Sequence, residues 1–350
     1  MENRLLVSSP PYIKNGETAH CLMFDVLIAA VPIIAASTFF FGPRALWIMF
    51  WGIFAAVATE SAIQILFKAP DFRFRPFVYN FLVNDDITVL DGSAMVTGLL
   101  LALSLPPSAP FWMPAVGAFV AIAFGKQVFG GVGYNIFNPA LIGRAFLLAA
   151  WPGKATAWTA PIEWSAWTQS IGIDVHSWLV DGVSTATPLS LLKIEGQTTP
   201  VLQVLAGNTA GSLGETSAIA VLIGGAYLLY KGTVSWYVPV SYIGSAFLLS
   251  FLLGQNPLFH LFAGSLLFGA FFYATDVVTS PVTKLGRLVY GAGAGVLTIV
   301  IRVFGGFPEG VCYSILLMNA VTPLIDRYTK RLPKSAARSN LVRESLTPKG

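Results

Sequence analysis

Apolar runs about twenty residues long, separated by short polar or Gly- and Pro-rich breaks, recur along almost the whole chain. Residues 22–41 ("LMFDVLIAAVPIIAASTFFF") and 45–67 open the series. Further runs lie near 88–105, 111–126, 136–151, 214–230, 236–254, 258–275, 287–303 and 310–326. A hydrocarbon layer about 30 Å thick is crossed by roughly 20 helical residues, so the pattern predicts an all-α polytopic membrane protein with about ten transmembrane helices. Several runs are short or interrupted by Gly, Pro or Asn. The longest stretch without one is 152–213.

The pattern also repeats. "GLLLALSLPPSAP" (98–110) followed by "GKQVFGG" (125–131) is echoed by "GAFFYATDVVTSP" (269–281) followed by "IRVFGG" (301–306). A unit of five spans is odd, so the second copy is inverted relative to the first, the architecture common in transport proteins. The expected divisions are a cytoplasmic N-terminal segment (1–21), a first five-span repeat (22–151), a connecting segment (152–213), a second repeat (214–326) and a cytoplasmic tail (327–350). No small-x-small cleavage site follows the first run, which reads as a retained span rather than a signal peptide.

Composition agrees. The 350 residues are 55% apolar and 11% charged, against about 25% charged in soluble domains, and mean hydropathy is +0.69. The net charge of +4 comes from basic residues at span ends, where they set orientation. Arg4, Lys14, Lys68, Arg73, Arg75, Lys126, Lys231, Lys284, Arg287, Arg327, Lys330, Arg331 and Lys334 share one side. Only Arg44, Lys154, Lys193 and Arg302 fall on the other. This places both termini in the cytoplasm and 152–213 outside, periplasmic in a bacterium. No basic run with interleaved aromatics is present, which excludes nucleic acid as a partner.

Metal chemistry is short of ligands. Two cysteines (Cys21, Cys312) and three scattered histidines build neither a four-thiolate iron–sulfur site nor a zinc site, so no metal site and no catalytic residue are assigned. Among acids in spans, Asp25, Asp91 and Asp276 sit near cytoplasmic ends. Glu60 is deepest, and an acid there costs several kcal/mol unless paired or hydrated. It is an ion-path candidate, or else it faces a polar neighbour such as Gln64. Trp151, Trp158, Trp164, Trp167 and Trp178 read as an interfacial belt, with stacking on a planar cofactor as the sharper account. "NPA" at 138–140 invites comparison with water channels, but a second copy is missing.

The one stretch neither greasy nor strongly charged is "DGVSTATPLS" (181–190). Read locally, its hydroxyls satisfy backbone groups in a turn. Thr187 would then be the N-cap and Pro188 the first residue of a short helix. The motif also resembles the flavin-attachment sequence read by the periplasmic FMN transferase. Together with "FNPALIGRAFL" (137–147) and the ten-span repeat, the chain is similar over nearly its whole length to the D subunits of the Rnf (Rsx) ion-translocating electron-transport complexes. It is also similar to the B subunits of the Na⁺-translocating NADH:quinone oxidoreductases. The resemblance implies FMN held by a phosphoester to Thr187, with Asp181, Ser184 and Pro188 as motif neighbours, and leaves room for noncovalent riboflavin. It also implies partner subunits carrying flavin and iron–sulfur centres, with NADH and ferredoxin handled by those partners. The bacterial inner membrane is its setting. Residues 91–97 repeat the acid-to-threonine spacing, but Thr97 would lie buried at the start of a span on the cytoplasmic side. The competing reading is a secondary transporter or channel of inverted-repeat type, without a redox cofactor.

Overall fold

The computed structural model describes residues 19–68, 91–161, 185–306 and 309–329, with helices at each of the expected runs. α1 (Ala19–Phe41) and α2 (Pro43–Lys68) meet at Gly42, and α3 (Ser93–Leu103), α4 (Trp112–Ala123) and α5 (Pro139–Ala150) complete the first half. Two short helices, α6 (Pro188–Glu195) and α7 (Val201–Ala206), precede α8 (Ala218–Lys231) and α9 (Tyr237–Leu252). α10 (Pro257–Phe262) and α11 (Leu266–Phe268) lead into a π-helical turn at Gly269–Tyr273, and α12 (Lys284–Phe304) and α13 (Val311–Thr329) close the chain. Among the described residues α1, α2, α12 and the stretch Trp112–Phe129 are long and apolar enough to cross a bilayer, while α3, α5, α8 and α9 are shorter apolar helices.

Two spans are shorter than their apolar runs. α3 has 11 residues, or roughly 16 Å of helix. It stops before Pro106 and Pro107, which cannot donate to the preceding turn. The eighth run breaks between α10 and α11, where Gly264 adopts φ 71°, a conformation costly for residues with a Cβ. Non-helical backbone at this depth must be satisfied inside the protein. Arg144 donates to the Ser104 carbonyl, and the N–H groups of Gly214 and Leu213 reach the carbonyls of Leu103 and Leu105 at 2.6 and 3.1 Å. Arg302 donates to the carbonyls of His260 and Ala263 at 2.6 and 3.1 Å.

The repeat is legible in the packing. In the first half α2 lies against α3 and α4, and α4 against α5; in the second, α9 lies against α10 and α12, and α12 against α13. α1 meets α8 and α5 meets α13, the equivalent spans of the two halves. Close approach depends on small residues: a Cβ on Gly52 would stand 2.8 Å from the Gly98 carbonyl oxygen. The inversion shows at the two ends. One cleft, about 100 Å³, is lined by the starts of α1, α3 and α5 and by residues just after α8 and α11, Thr233 and Asp276 among them. The opposite pocket is lined by Glu215 before α8, Gly264 at the helix break and Glu309 before α13. These are called the first and second ends below. Large apolar side chains such as Phe24, Ile28, Phe247 and Phe251 face outward, as lipid contact requires.

One expectation changes, and one motif finds a local role. Trp158 is 5% exposed and packed inside the protein rather than part of a surface belt, while Trp164, Trp167 and Trp178 lie outside the described residues. The Asn138 of "NPA" is the N-cap of α5, accepting from the N–H groups of Ala140 and Leu141 at 3.1 and 3.4 Å.

Candidate functional site

Thr187 sits at the second end. Its extended backbone and the following Pro188 start α6, and its Oγ1 accepts the Ser190 N–H at 3.2 Å. Ser190 Oγ lies 2.9 Å from the same oxygen. This is the N-cap that the local reading of the sequence anticipates. The hydroxyl is not displayed to solvent, however: Thr187 is 4% exposed, because capping turns its side chain inward against the bundle. Leu189 and Val204 pack with Phe259 and Ala263, seating α6 and α7 on the broken eighth span. Lys193 Nζ ties α6 to the C-terminal end of α12, donating to the carbonyls of Arg302 (2.9 Å) and Gly305. A cation is favoured there by the helix dipole, even though desolvation lowers the Lys193 pKa. Asp181 and Ser184 lie outside the described residues.

Thr187 lines the second-end pocket with Thr209, Glu215, Thr216 and Glu309. Arg144, from α5, makes an ion pair with Glu309. A phosphate on the Thr187 oxygen would meet the N-terminus of α6, where the helix dipole favours anions. The cavity, about 10 Å³, takes no isoalloxazine ring, so a flavin on Thr187 must lie outside it. Thr97, the spacing look-alike, is buried in α3 and donates to the Ser93 carbonyl.

At the first end Glu60 is fully buried. Both its oxygens stand 2.8 Å from Lys126 Nζ, and Gln64 and Gln127 each donate to Oε1 at 3.1 Å. Lys126 also donates to Ser93 Oγ at 2.6 Å. The Gln64 contact follows from the i, i+4 spacing of one helix. The dominant partner, Lys126, comes from 66 residues away and no local pattern gives it. Arg144, Glu215 and Glu309 likewise escape a local reading. The available signal is an arginine within an otherwise apolar span, which demands a buried acceptor.

Comparison with known proteins matches residues 6–334 to the model of the NQR2, RnfD, RnfE family. The chain is 44% identical to the D subunit of the Na⁺-translocating ferredoxin:NAD⁺ oxidoreductase complex of Acetobacterium woodii, over 94% of this chain and 95% of that one. It is 42% identical to the D subunit of the proton-translocating ferredoxin:NAD⁺ oxidoreductase complex of Clostridium ljungdahlii, over 94% and 96%. Against the D subunit of the ion-translocating oxidoreductase complex of Yersinia enterocolitica identity is 36%, over 93% and 96%.

Proposed function

Because the chain belongs to the NQR2, RnfD, RnfE family, we propose that it is the D-type membrane subunit of an ion-translocating ferredoxin:NAD⁺ oxidoreductase complex and that it carries FMN on Thr187. Support for the subunit assignment comes from relatives of that name matching over more than nine-tenths of both chains. Support for the flavin comes from one observation. The attachment-like motif ends on a threonine whose oxygen stands at a helix N-terminus, at the far end of the bundle from the start of α1.

In this reading Thr187 Oγ1 holds the FMN phosphate, Pro188 fixes the first turn of α6, and Lys193 and the apolar face of α6 seat that turn on the second repeat. The bound flavin supplies reversible one- and two-electron chemistry. Two cysteines are too few to hold a four-thiolate cluster within this chain alone, so electrons arrive from and leave to flavin and iron–sulfur centres on other membrane and peripheral subunits. The inner membrane holds the complex with both termini in the cytoplasm and 152–213 in the periplasm, where the FMN transferase works. One charge crossing 100 mV corresponds to about 2.3 kcal/mol, which lets electron transfer and ion movement be linked. Glu60 takes part as half of an ion pair, and a cation entering at that end must compete with the Lys126 ammonium. The resemblance that implies covalent FMN also leaves room for noncovalent riboflavin.

In-gel fluorescence decides. Protein co-expressed with its FMN transferase should give a flavin-fluorescent band after denaturation, retained in Thr187→Ser and lost in Thr187→Ala. A dark wild-type band would favour a transporter without a redox cofactor.

A further inference from the structure

The second-end pocket holds two carboxyl groups that the flavin reading leaves unused. Glu215 is 8% exposed. Its Oε1 accepts the Ser212 N–H at 2.8 Å, and its Oε2 is buried with no hydrogen-bond partner among the described residues. Both Glu215 and Glu309 line the cavity. One carboxyl oxygen of Glu309 is paired with Arg144, and its side chain is 15% exposed. Both carboxyl groups thus face one small cavity, and the Glu215 charge acts on Glu309. Two ionised carboxylates have only acceptors to offer each other, so a proton on one of them relieves the repulsion between two buried acids beside a single paired arginine.

The charged surroundings fit one proton rather than a metal ion. Arg144 and Arg302 are the cations facing Glu309, and Glu215 is the acid; Tyr273 and Cys312 also face Arg144. Arg302 is occupied by the carbonyls of His260 and Ala263. Arg144 is already paired with one Glu309 oxygen, and its positive charge repels a second cation beside it. The cavity of about 10 Å³ is at the threshold for a single water and takes nothing larger.

We propose that Glu215 and Glu309 share one exchangeable proton, forming a proton-binding site between the two repeats at the second end of the bundle. The two acids come from loops that enter the first and last spans of the second repeat, and their counterion comes from the last span of the first. Burial, and then the Glu215 charge, push the Glu309 carboxyl up to about 7. The shared proton is therefore held below about that pH, released above it, and exchangeable near neutrality. The site does not rest on the flavin, because it is built wholly from this chain.

Infrared titration of the purified full-length chain, with glutamate carboxyl carbons isotope-labelled, tests it in a Thr187→Ala background free of covalent flavin. One protonated glutamate band should fade as pH rises through about 7. Because the proton is shared, Glu215→Gln and Glu309→Gln should each remove that band. The absence of any such band overturns the site without reference to a variant's folding. A band that survives Glu215→Gln overturns the sharing. A band removed by sodium ions at constant pH and ionic strength overturns the proton in favour of a metal cation. Glu215→Asp, which keeps the charge but shortens the reach, should shift the titration to lower pH, and an unchanged curve counts against the interaction of the two acids.

Discussion

At Thr187 a single oxygen serves two ends. It accepts the Ser190 N–H that would otherwise be an orphan donor of α6, a cap whose loss costs about 1 kcal/mol. It is also the atom that the flavin reading esterifies. An ester oxygen keeps lone pairs for the N–H but has no proton, so in the esterified state Ser190 Oγ must be the donor across the 2.9 Å contact. Thr187→Ser preserves cap and ester alike, which is why it is the informative partner of Thr187→Ala. The pair Glu60–Lys126 shows residue-scale physics more starkly. Both side chains are essentially inaccessible to solvent, and removing one leaves the other charged and unpaired. Glu60→Gln should destabilise the protein by about 3–5 kcal/mol in thermal unfolding of the detergent-purified chain. The double change Glu60→Gln with Lys126→Met should cost less than Glu60→Gln alone. A double variant at least as damaged would mean that the pair is not the stabilising unit.

Elements in this protein are cut short where the two repeats meet, and the cuts are held by side chains. The basic residues that run against the orientation rule illustrate this. Arg44 donates to the Ser108 carbonyl at 3.0 Å, Lys193 and Arg302 to carbonyls at helix ends, and Lys154 Nζ stands 5.3 Å from the Trp112 ring centroid. Each is engaged by backbone or a ring, whereas the orientation rule concerns basic residues in loops beside span ends. The break in the eighth span depends on Gly264. A Cβ there would meet Leu189 Cδ1 of α6 at 2.7 Å and Arg302 at 3.1 Å, in a backbone conformation already unfavourable for other residues. Gly264→Ala should lower stability by about 1–3 kcal/mol. Gly244→Ala, in α9 where a Cβ meets nothing within 4 Å, should be neutral or stabilising by up to about 1 kcal/mol. Equal melting temperatures for the two variants would show that the break is not under constraint.

For the whole molecule, inversion puts equivalent parts of the halves at opposite ends. The first end gathers starts of the odd spans of repeat one, and the second end gathers starts from repeat two. That arrangement sets α6, α7 and the Glu215–Glu309 pair together, far from Glu60 and Lys126. The sides can be read directly. After replacement of Cys21 and Cys312, a membrane-impermeant maleimide applied to intact cells should label exposed Thr198→Cys, between α6 and α7, and spare exposed Lys231→Cys at the end of α8. The opposite labelling would reverse the assignment of cytoplasm and periplasm.

The sequence by itself determined the class, the spans, the repeat and the position of Thr187 as a helix cap. Hydropathy runs, proline and glycine breaks and a capping threonine are signals carried within a few tens of residues. Only the tertiary structure decided that Glu60 is neutralised by Lys126, that Thr187 faces inward, that the eighth span is split, and that Arg144, Glu215 and Glu309 converge. These depend on residues far apart in the chain coming within hydrogen-bonding distance. Burial then makes their pairing obligatory, because a charge or carbonyl cut off from water must find a partner inside the protein.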